Sequence, residues 1–244
     1  MKTMIFAAGL GTRLRPLTDT MPKALVPIGG HPLLEILLRK LGESGFRDIV
    51  INIHHFADQI EEWVEVFLSQ NPEFTVALSD ERVQLLETGG GIRHAAPLFG
   101  DAKRLLIHNV DILSNCDLSQ FIKEGSDHAA TLLVSQRKTQ RYLLFDESNR
   151  LVGWTNLSTG QVRSPYANLE PSRCRMLAFA GIHHMSTSLL PLMNAWPEKF
   201  SIIDFYLSIC DRYPILGYVQ PDLRLMDVGK IDSLAEAERF VTSL

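Results

Sequence analysis

Ala7-Ala8-Gly9-Leu10-Gly11-Thr12-Arg13-Leu14-Arg15-Pro16-Leu17-Thr18, followed by Pro22-Lys23-Ala24-Leu25-Val26-Pro27, is the stretch that decides how this chain is read. The apolar run of residues 4–8 leads into it and has the composition of a buried parallel strand. Two closely spaced glycines let backbone approach a ligand, and clustered backbone N–H groups bind phosphate oxygens. Two common phosphate motifs are excluded. The pattern GxGxxG needs a glycine where Leu14 stands, and GxxxxGK[ST] does not occur. A bare GxG mostly makes turns, and an isolated Arg-x-Arg reads as a solvated surface pair. Here Arg13 and Arg15 directly follow the glycines, and Lys23 sits between Pro22 and Pro27. Arginine grips phosphate bidentately and lysine acts as a mobile point charge. Together they suit the positioning and charge neutralisation that transfer at phosphorus requires.

Outward from this segment, strand and helix patterns alternate. Residues 9–32 form a long loop, of the kind that is functional in compact domains. Pro32 opens a helix with Leu33, Leu34, Leu37, Leu38 and Leu41 on one face, and Gly45 ends it. A strand at 49–53, a helix carrying Phe56, Ile60, Trp63, Val64 and Phe67, a strand at 74–78, a helix at 91–98 and a strand at 104–108 follow. The alternation predicts an α/β domain with a largely parallel sheet. Strands are expected at 129–134, 142–145, 151–154 and 176–182, with a polar insertion at 155–175. Helices are expected at 186–195 and 202–210, and Ser233 with Glu236 reads as a capping box for a last helix ending near Val241. No linker or repeat divides the chain, so one domain over 1–244 is expected, in segments 1–128, 129–225 and 226–244.

The opening block resembles the N-terminal signature of the nucleoside-diphosphate-sugar pyrophosphorylases, the sugar-1-phosphate nucleotidyltransferase family. That pattern runs GxGTR, then Pro and Thr, then PKxLxP, and every element is present. The resemblance implies a Rossmann-like nucleotidyltransferase fold: a mixed, mostly parallel central sheet flanked by helices, with a small β-rich sugar-side insertion. Residues 1–128 would bind nucleotide, 129–225 mainly sugar, and 226–244 would carry a metal aspartate and the last helix. Ala8, Gly9, Gly11, Thr12 and Arg13 would hold the triphosphate, with Arg13 and Lys23 as catalytic cations. Glu87-Thr88-Gly89-Gly90-Gly91-Ile92 resembles the family's segment against the nucleobase, where Thr88, Gly89 and Gly90 would lie beside a flat ring. Glu81, just upstream, is a candidate to accept a hydrogen bond from a base N–H, or else a surface acid.

Asn109-Val110-Asp111 follows the strand at 104–108, and ligands gather at the carboxyl ends of strands in open α/β sheets. The resemblance makes Asp111 a ligand of Mg2+, partnered by Asp227 in Met226-Asp227-Val228-Gly229. A hard cation on triphosphate needs such carboxylate oxygens. Read alone, Asp227 is a loop-capping acid. Asn109, Gly181 and Asp204 fall on the family's sugar side, although Gly181 also reads as a packing glycine and Asp204 as a helix N-terminal acid. His54-His55 and His183-His184 face alternately along strands, so neither pair makes a metal site by itself. They read as structural or sugar-side residues. Departures from the family pattern are Val110 for glycine, Leu225 for tryptophan and Lys230 for threonine. The sugar-side Glu-Lys pair is missing, so either Arg163, Arg173 or Arg175 supplies its charge or the sugar phosphate is held differently.

The implied activity is Mg2+-dependent transfer of a nucleoside monophosphate from an NTP to a sugar 1-phosphate, with release of pyrophosphate. The ETGGG form and short chain are most similar to N-acetylmuramate 1-phosphate uridylyltransferases. Mannose-1-phosphate guanylyltransferases and glucose-1-phosphate thymidylyltransferases share most of the signature. A phosphocholine cytidylyltransferase, using Trp154 and Tyr166 against a quaternary amine, is the rival enzyme. A silent nucleotide-sensing protein is the rival of another class. The chain ends soon after Asp227, so no left-handed β-helix domain is expected.

Composition agrees with a soluble globular chain: 45% apolar and 21% charged over 244 residues. A net charge of -4 speaks against a general nucleic-acid binder. Cys116, Cys174 and Cys210 are far apart without a CxxC, which fits a reducing cytoplasm rather than a disulfide framework or zinc site. The run at 4–8 is too short for a signal peptide, and nothing approaches the roughly 18 apolar residues of a membrane span. A cytoplasmic protein, without membrane or nucleic-acid partners and open to homo-oligomer formation, is expected.

Overall fold

The computed structural model describes residues 1–244. Strand β1 (Lys2–Phe6) runs into three 3₁₀ turns, Thr12–Leu14, Leu17–Asp19 and Lys23–Leu25. A small clasp of β2 (Pro27–Ile28) and β3 (His31–Pro32) leads to α1 (Leu33–Glu43). Then come β4 (Asp48–Ile53), α2 (Ala57–Gln70), β5 (Thr75–Asp80), α3 (Glu87–His94) and β6 (Arg104–Asn109). The middle of the chain forms β7 (Ile112–Ser114), α4 (Leu118–Glu124), β8 (Ala130–Ser135), β9 (Arg141–Phe145), β10 (Leu151–Asn156) and β11 (Gln161–Arg163). It closes with β12 (Arg175–Ser186), α5 (Ile202–Ile209), β13 (Ile215–Tyr218), β14 (Leu225–Asp227) and α6 (Leu234–Thr242).

The main sheet runs β11-β10-β9-β12-β6-β1-β4-β5, with β8 on β12 and β13 on β8. Strands β6, β1, β4 and β5 are parallel, as the alternation predicts. Beyond β6 the sense changes: β12 runs antiparallel to β6, β8 and β9. Period-two alternation sends neighbouring side chains to opposite faces. Ile5, Ile49, Ile51 and Leu106 therefore join one core layer, with the buried leucines of α1, while Met4, Val50, Leu105 and Ile107 join the other. From β1 the chain steps to β4 and β5 on one side and returns to β6 on the other. That reversal opens a crevice beyond the carboxyl ends of β1 and β6, where α/β sheets take their ligands.

Several expected elements shift for local reasons. The segment at 186–195 is a 3₁₀ stretch, Thr187–Ala195, because Pro191 inside it lacks an N–H and blocks an α-helix. Helix α3 begins at Glu87, upstream of the expected 91, and gives way to a 3₁₀ turn at Ala96–Phe99. The capping box at Ser233 does not form, since that hydroxyl donates to Lys230 O at 2.6 Å. The polar insertion carries β11, paired to β10. No helix is long and apolar enough to cross a membrane.

The His183-His184 pair is structural. His183 Nδ1 lies 2.8 Å from the Tyr206 hydroxyl, and His184 Nδ1 accepts from Arg104 at 2.8 Å. Burial pushes both imidazoles down to about 3, and His108 to about 4, from an ordinary 6.5. The unfolded chain thus takes up protons that the native chain refuses, so stability is lost as pH falls below 6.5. Each histidine contributes up to about 1.4 kcal/mol per pH unit in that window. Urea midpoints measured from about pH 7.5 down to about pH 5 are expected to fall steadily. A flat profile would contradict neutral burial of these rings.

Candidate active site

A cleft of about 460 Å³ occupies that crevice. Its first wall is the loop after β1, with Ala8, Gly9, Gly11, Thr12 and Arg13, and Lys23 alongside. Gly11 has φ +62, and a Cβ there would sit 2.8 Å from Thr18 Cγ2 and 3.1 Å from Lys23 Cβ. Only glycine meets both the left-handed turn and the close approach. Thr18 locks the turn by donating to Gly11 O at 2.9 Å. A Cβ at Gly9 would meet nothing within 4 Å, so that backbone faces open cleft.

The second wall is the carboxyl end of β6, where Asn109, Val110 and Asp111 line the cleft. Lys23, buried except for 8% of its surface, is ion-paired to Asp111 Oδ2. Antiparallel pairing sets Asp227 of β14 opposite Ile112 of β7, and Val228 N donates to Asp111 O at 2.9 Å. The same ladder brings up Gly229, whose Cβ would lie 2.9 Å from both Arg13 Nη2 and Asp227 Oδ1. Asp111, Lys23 and Arg13 thus share the cleft lining, while Asp227 lies outside that lining, next to Gly229, which does line it.

The third wall carries Leu85, Glu87 and Thr88. Thr88 Oγ1 accepts from Ile202 N at 2.9 Å, fixing α3 to the start of α5. Glu87 is a non-glycine residue at φ +61. Gly89 and Gly90, expected beside a base, are not among the residues that line the cleft. Their added Cβ atoms would fall 2.3 Å from Phe200 Cε2 and 2.4 Å from Glu198 O, and both N–H groups donate to Phe200 O. Close packing on the residue 198–200 segment is what demands glycine there.

Glu81, the candidate base contact or surface acid, is neither exposed nor part of the cleft lining. It is 2% exposed and lies behind the cleft wall, accepting from Asn52 Nδ2 at 2.7 Å and Leu86 N at 3.0 Å. Asn52, which does line the cleft, escaped the sequence reading. Its only signal was a lone amide at the carboxyl end of an apolar strand. Leu85 was missed as well, since nothing local marks it, and Gly229 was read only as part of the segment that carries Asp227.

On the other side of the sheet, Gly181 (φ +77) sits in an irregularity of β12, with a virtual Cβ 2.9 Å from Ile112 Cγ1 and 3.0 Å from Asn109 Nδ2. It packs against Asn109, which lines the cleft, and does not line it itself. Asp204 likewise lies outside the lining, ion-paired to Arg163, whose guanidinium stacks 3.9 Å over the Trp154 ring. One face of Trp154 is therefore taken, which weakens its reading as a quaternary-amine platform. Arg173 is paired with Glu170 at 2.7 Å and Arg175 is hydrogen-bonded to Asn149.

A cleft at the switch point of an α/β sheet, framed by a glycine turn and opposed Lys, Arg and Asp side chains, has the shape and charge of a phosphate-binding site. The chain belongs to the Nucleotidyl transferase family, whose model matches residues 2–143. Among curated relatives, N-acetylmuramate alpha-1-phosphate uridylyltransferase of Caulobacter vibrioides is 44% identical over 108 residues, 44% of this chain and 44% of that protein. The enzyme of the same name from Neisseria meningitidis is 41% identical over 128 residues, 52% of this chain and 53% of that protein. A UTP--glucose-1-phosphate uridylyltransferase of Synechocystis is 35% identical over 260 residues, covering 100% of this chain and 64% of that protein. The chain thus matches 44%, 53% and 64% of the length of these relatives. A solved putative glucose-1-phosphate thymidylyltransferase from Bacillus anthracis superposes with a TM-score of 0.80 at 18% identity, over 100% of this chain and 96% of that one. HddC from Yersinia pseudotuberculosis superposes at 0.74 with 22% identity, over 98% of each chain, and shows the same fold.

The packing account of Gly89 is testable. Gly89→Ala is expected to lose about 1–3 kcal/mol of stability by urea unfolding, and Phe200→Leu in the same background is expected to cost less than in the parent. Additive losses would mean that the two residues do not collide.

Proposed function

We propose that this chain is a sugar-1-phosphate nucleotidyltransferase that moves a uridylyl group from UTP to N-acetylmuramate 1-phosphate or a close analogue, releasing pyrophosphate. The observation that carries this reading is the Lys23–Asp111 pair beside the Gly11 turn, coupled through β7 and β14 to Asp227 and Arg13. Uridylyl transfer and the sugar are supported by the names of the Caulobacter and Neisseria relatives, and the base also by that of the Synechocystis relative.

In the proposed reaction an oxygen of the sugar phosphate bonds to the α-phosphorus. The bond from that phosphorus to the bridging oxygen breaks, and its electron pair leaves on pyrophosphate. The attacking oxygen is already anionic, so no side chain has to remove a proton. Backbone N–H groups of Gly9, Gly11 and Thr12 hold the triphosphate, and Arg13 neutralises charge on the departing pyrophosphate. Lys23 exchanges its carboxylate partner for a phosphate oxygen, which releases Asp111. Asp111 and Asp227 would hold Mg2+, an ion that needs only one or two carboxylates and takes water and phosphate oxygens as its other ligands. When bound, it would offset the negative charge that develops on the phosphates. The sugar belongs on the 129–225 half, near Asn109 and the Arg163–Asp204–Trp154 cluster, and the free thiols suit a cytoplasmic enzyme.

The test is pyrophosphate release with Mg2+ across several nucleoside triphosphates and a panel of sugar 1-phosphates plus phosphocholine. Highest kcat/KM is expected for UTP with N-acetylmuramate 1-phosphate. Lys23→Ala and Asp111→Ala are each expected to lower it at least about 100-fold, the scale of losing one preorganised charge partner in a transition state. Near-parental turnover in both variants, or silence across the panel from folded protein, would sink the proposal.

A further inference from the structure

We infer that Asn52 and Glu81 form a buried positioning pair that sets the spacing between the phosphate turn and the base-side wall of the cleft. This rests on the nucleotide reading above and extends it to a residue, Glu81, that does not reach the cleft. Asn52 stands next to last in β4, in register with Phe6 of β1. Its Oδ1 accepts from Ala7 N at 2.8 Å and Ala8 N at 3.3 Å, the first two amides beyond β1. Its Nδ2 donates to Glu81 Oε1 at 2.7 Å, and Glu81 Oε2 accepts from Leu86 N at 3.0 Å. Leu86 lies between Leu85 and Glu87, which line the opposite wall. An unbroken chain of hydrogen bonds therefore links the two walls from behind.

The direction of each bond in this chain is forced. Ala7, Ala8 and Leu86 can offer only N–H donors, so Asn52 must turn its carbonyl towards the loop and Glu81 must accept at both oxygens. The pair has no room to rearrange, since Asn52 is 3% and Glu81 2% exposed, and a Cβ on Gly91 would sit 2.8 Å from Glu81 Oε1. The Glu81 main chain is held as well, by its N–H to Ile53 O at 2.8 Å. Buried polar groups in such a network lose heavily when one partner presents the wrong sign.

This polarity gives a sharp test. Asn52→Asp alone sets carboxylate against carboxylate. Glu81→Gln alone turns an amide N–H on either Leu86 N or the Asn52 amide. The double swap, Asn52→Asp with Glu81→Gln, restores every bond with the middle one reversed and keeps the net charge. Each single variant is expected to raise KM for UTP about tenfold or more while KM for the sugar phosphate stays within about twofold; the double variant should return to within about threefold of the parent. Amide hydrogen exchange at Ala7, Ala8 and Leu86 should quicken in the singles and slow again in the double. Should a single fail to fold, Asn52→Ser cuts the link to Glu81 and carries the same KM comparison. A double variant no better than the worse single, or equal effects on both KM values, would overturn the pair's positioning role. So would restored exchange with altered base preference, which would put Glu81 on the base itself. If the parent turns over no nucleotide, the proposed function fails while the exchange pattern still decides whether the pair holds the loop.

Discussion

Everything in the cleft depends on β1 being pinned between β4 and β6 by parallel main-chain hydrogen bonds. The pairing Phe6 with Asn52 and Phe6 with Asn109 stops all three strands at one level. Loops leaving that level have to share the same space. The glycine turn and the β6–β7 connection are therefore neighbours by construction, and the segment before α3, which leaves the adjacent β5, is tied to them through Asn52 and Glu81. Both faces of this parallel group are covered, which is why its strands carry almost unbroken runs of valine, isoleucine and leucine. The occasional polar residue in such a run stands out as a device. Asn52 is the clearest example.

Charge at the site follows the same logic. Lys23 and Asp111 would each be costly to bury alone, and each makes the other tolerable. The short β7–β14 ladder then adds Asp227 without a long detour, because a two-stranded pairing transmits position through three residues on each strand. Arg13 reaches the same place from the opposite wall. The outcome is a set of opposite charges held near one another by the backbone elements that carry them.

How much of this was legible in the sequence divides along physical lines. The parallel half declared itself because each strand is a buried run and each helix has a clean apolar face, as with the leucines of α1. The opening loop also stood out, since its glycines and cations are marked by residue type alone, and the structure sets Gly11, Arg13 and Lys23 together in the cleft lining. What stayed hidden was set by partners far along the chain. Gly89 looked like a surface for a base and is a seat for Phe200; Glu81 looked like a base contact and holds Asn52. Strands β7, β13 and β14, three or four residues long, are too brief for alternation to register. Proline at 191 was visible but was outweighed by the apolar pattern around it, and the backbone obeyed the proline.

Strand β12 bonds to β6, to β8 and to β9, so one continuous stretch of chain ties the parallel half to the antiparallel flank. The hairpin β10–β11 hangs from the outer end of this arrangement, joined to the rest of the sheet through β9. Changes of length there leave the register at β1 and β6 untouched. A lineage carrying this architecture can rewrite the outer hairpin while inheriting the β1–β6 end and its cleft intact. The sheet in effect separates a part open to evolutionary revision from a part that must be kept.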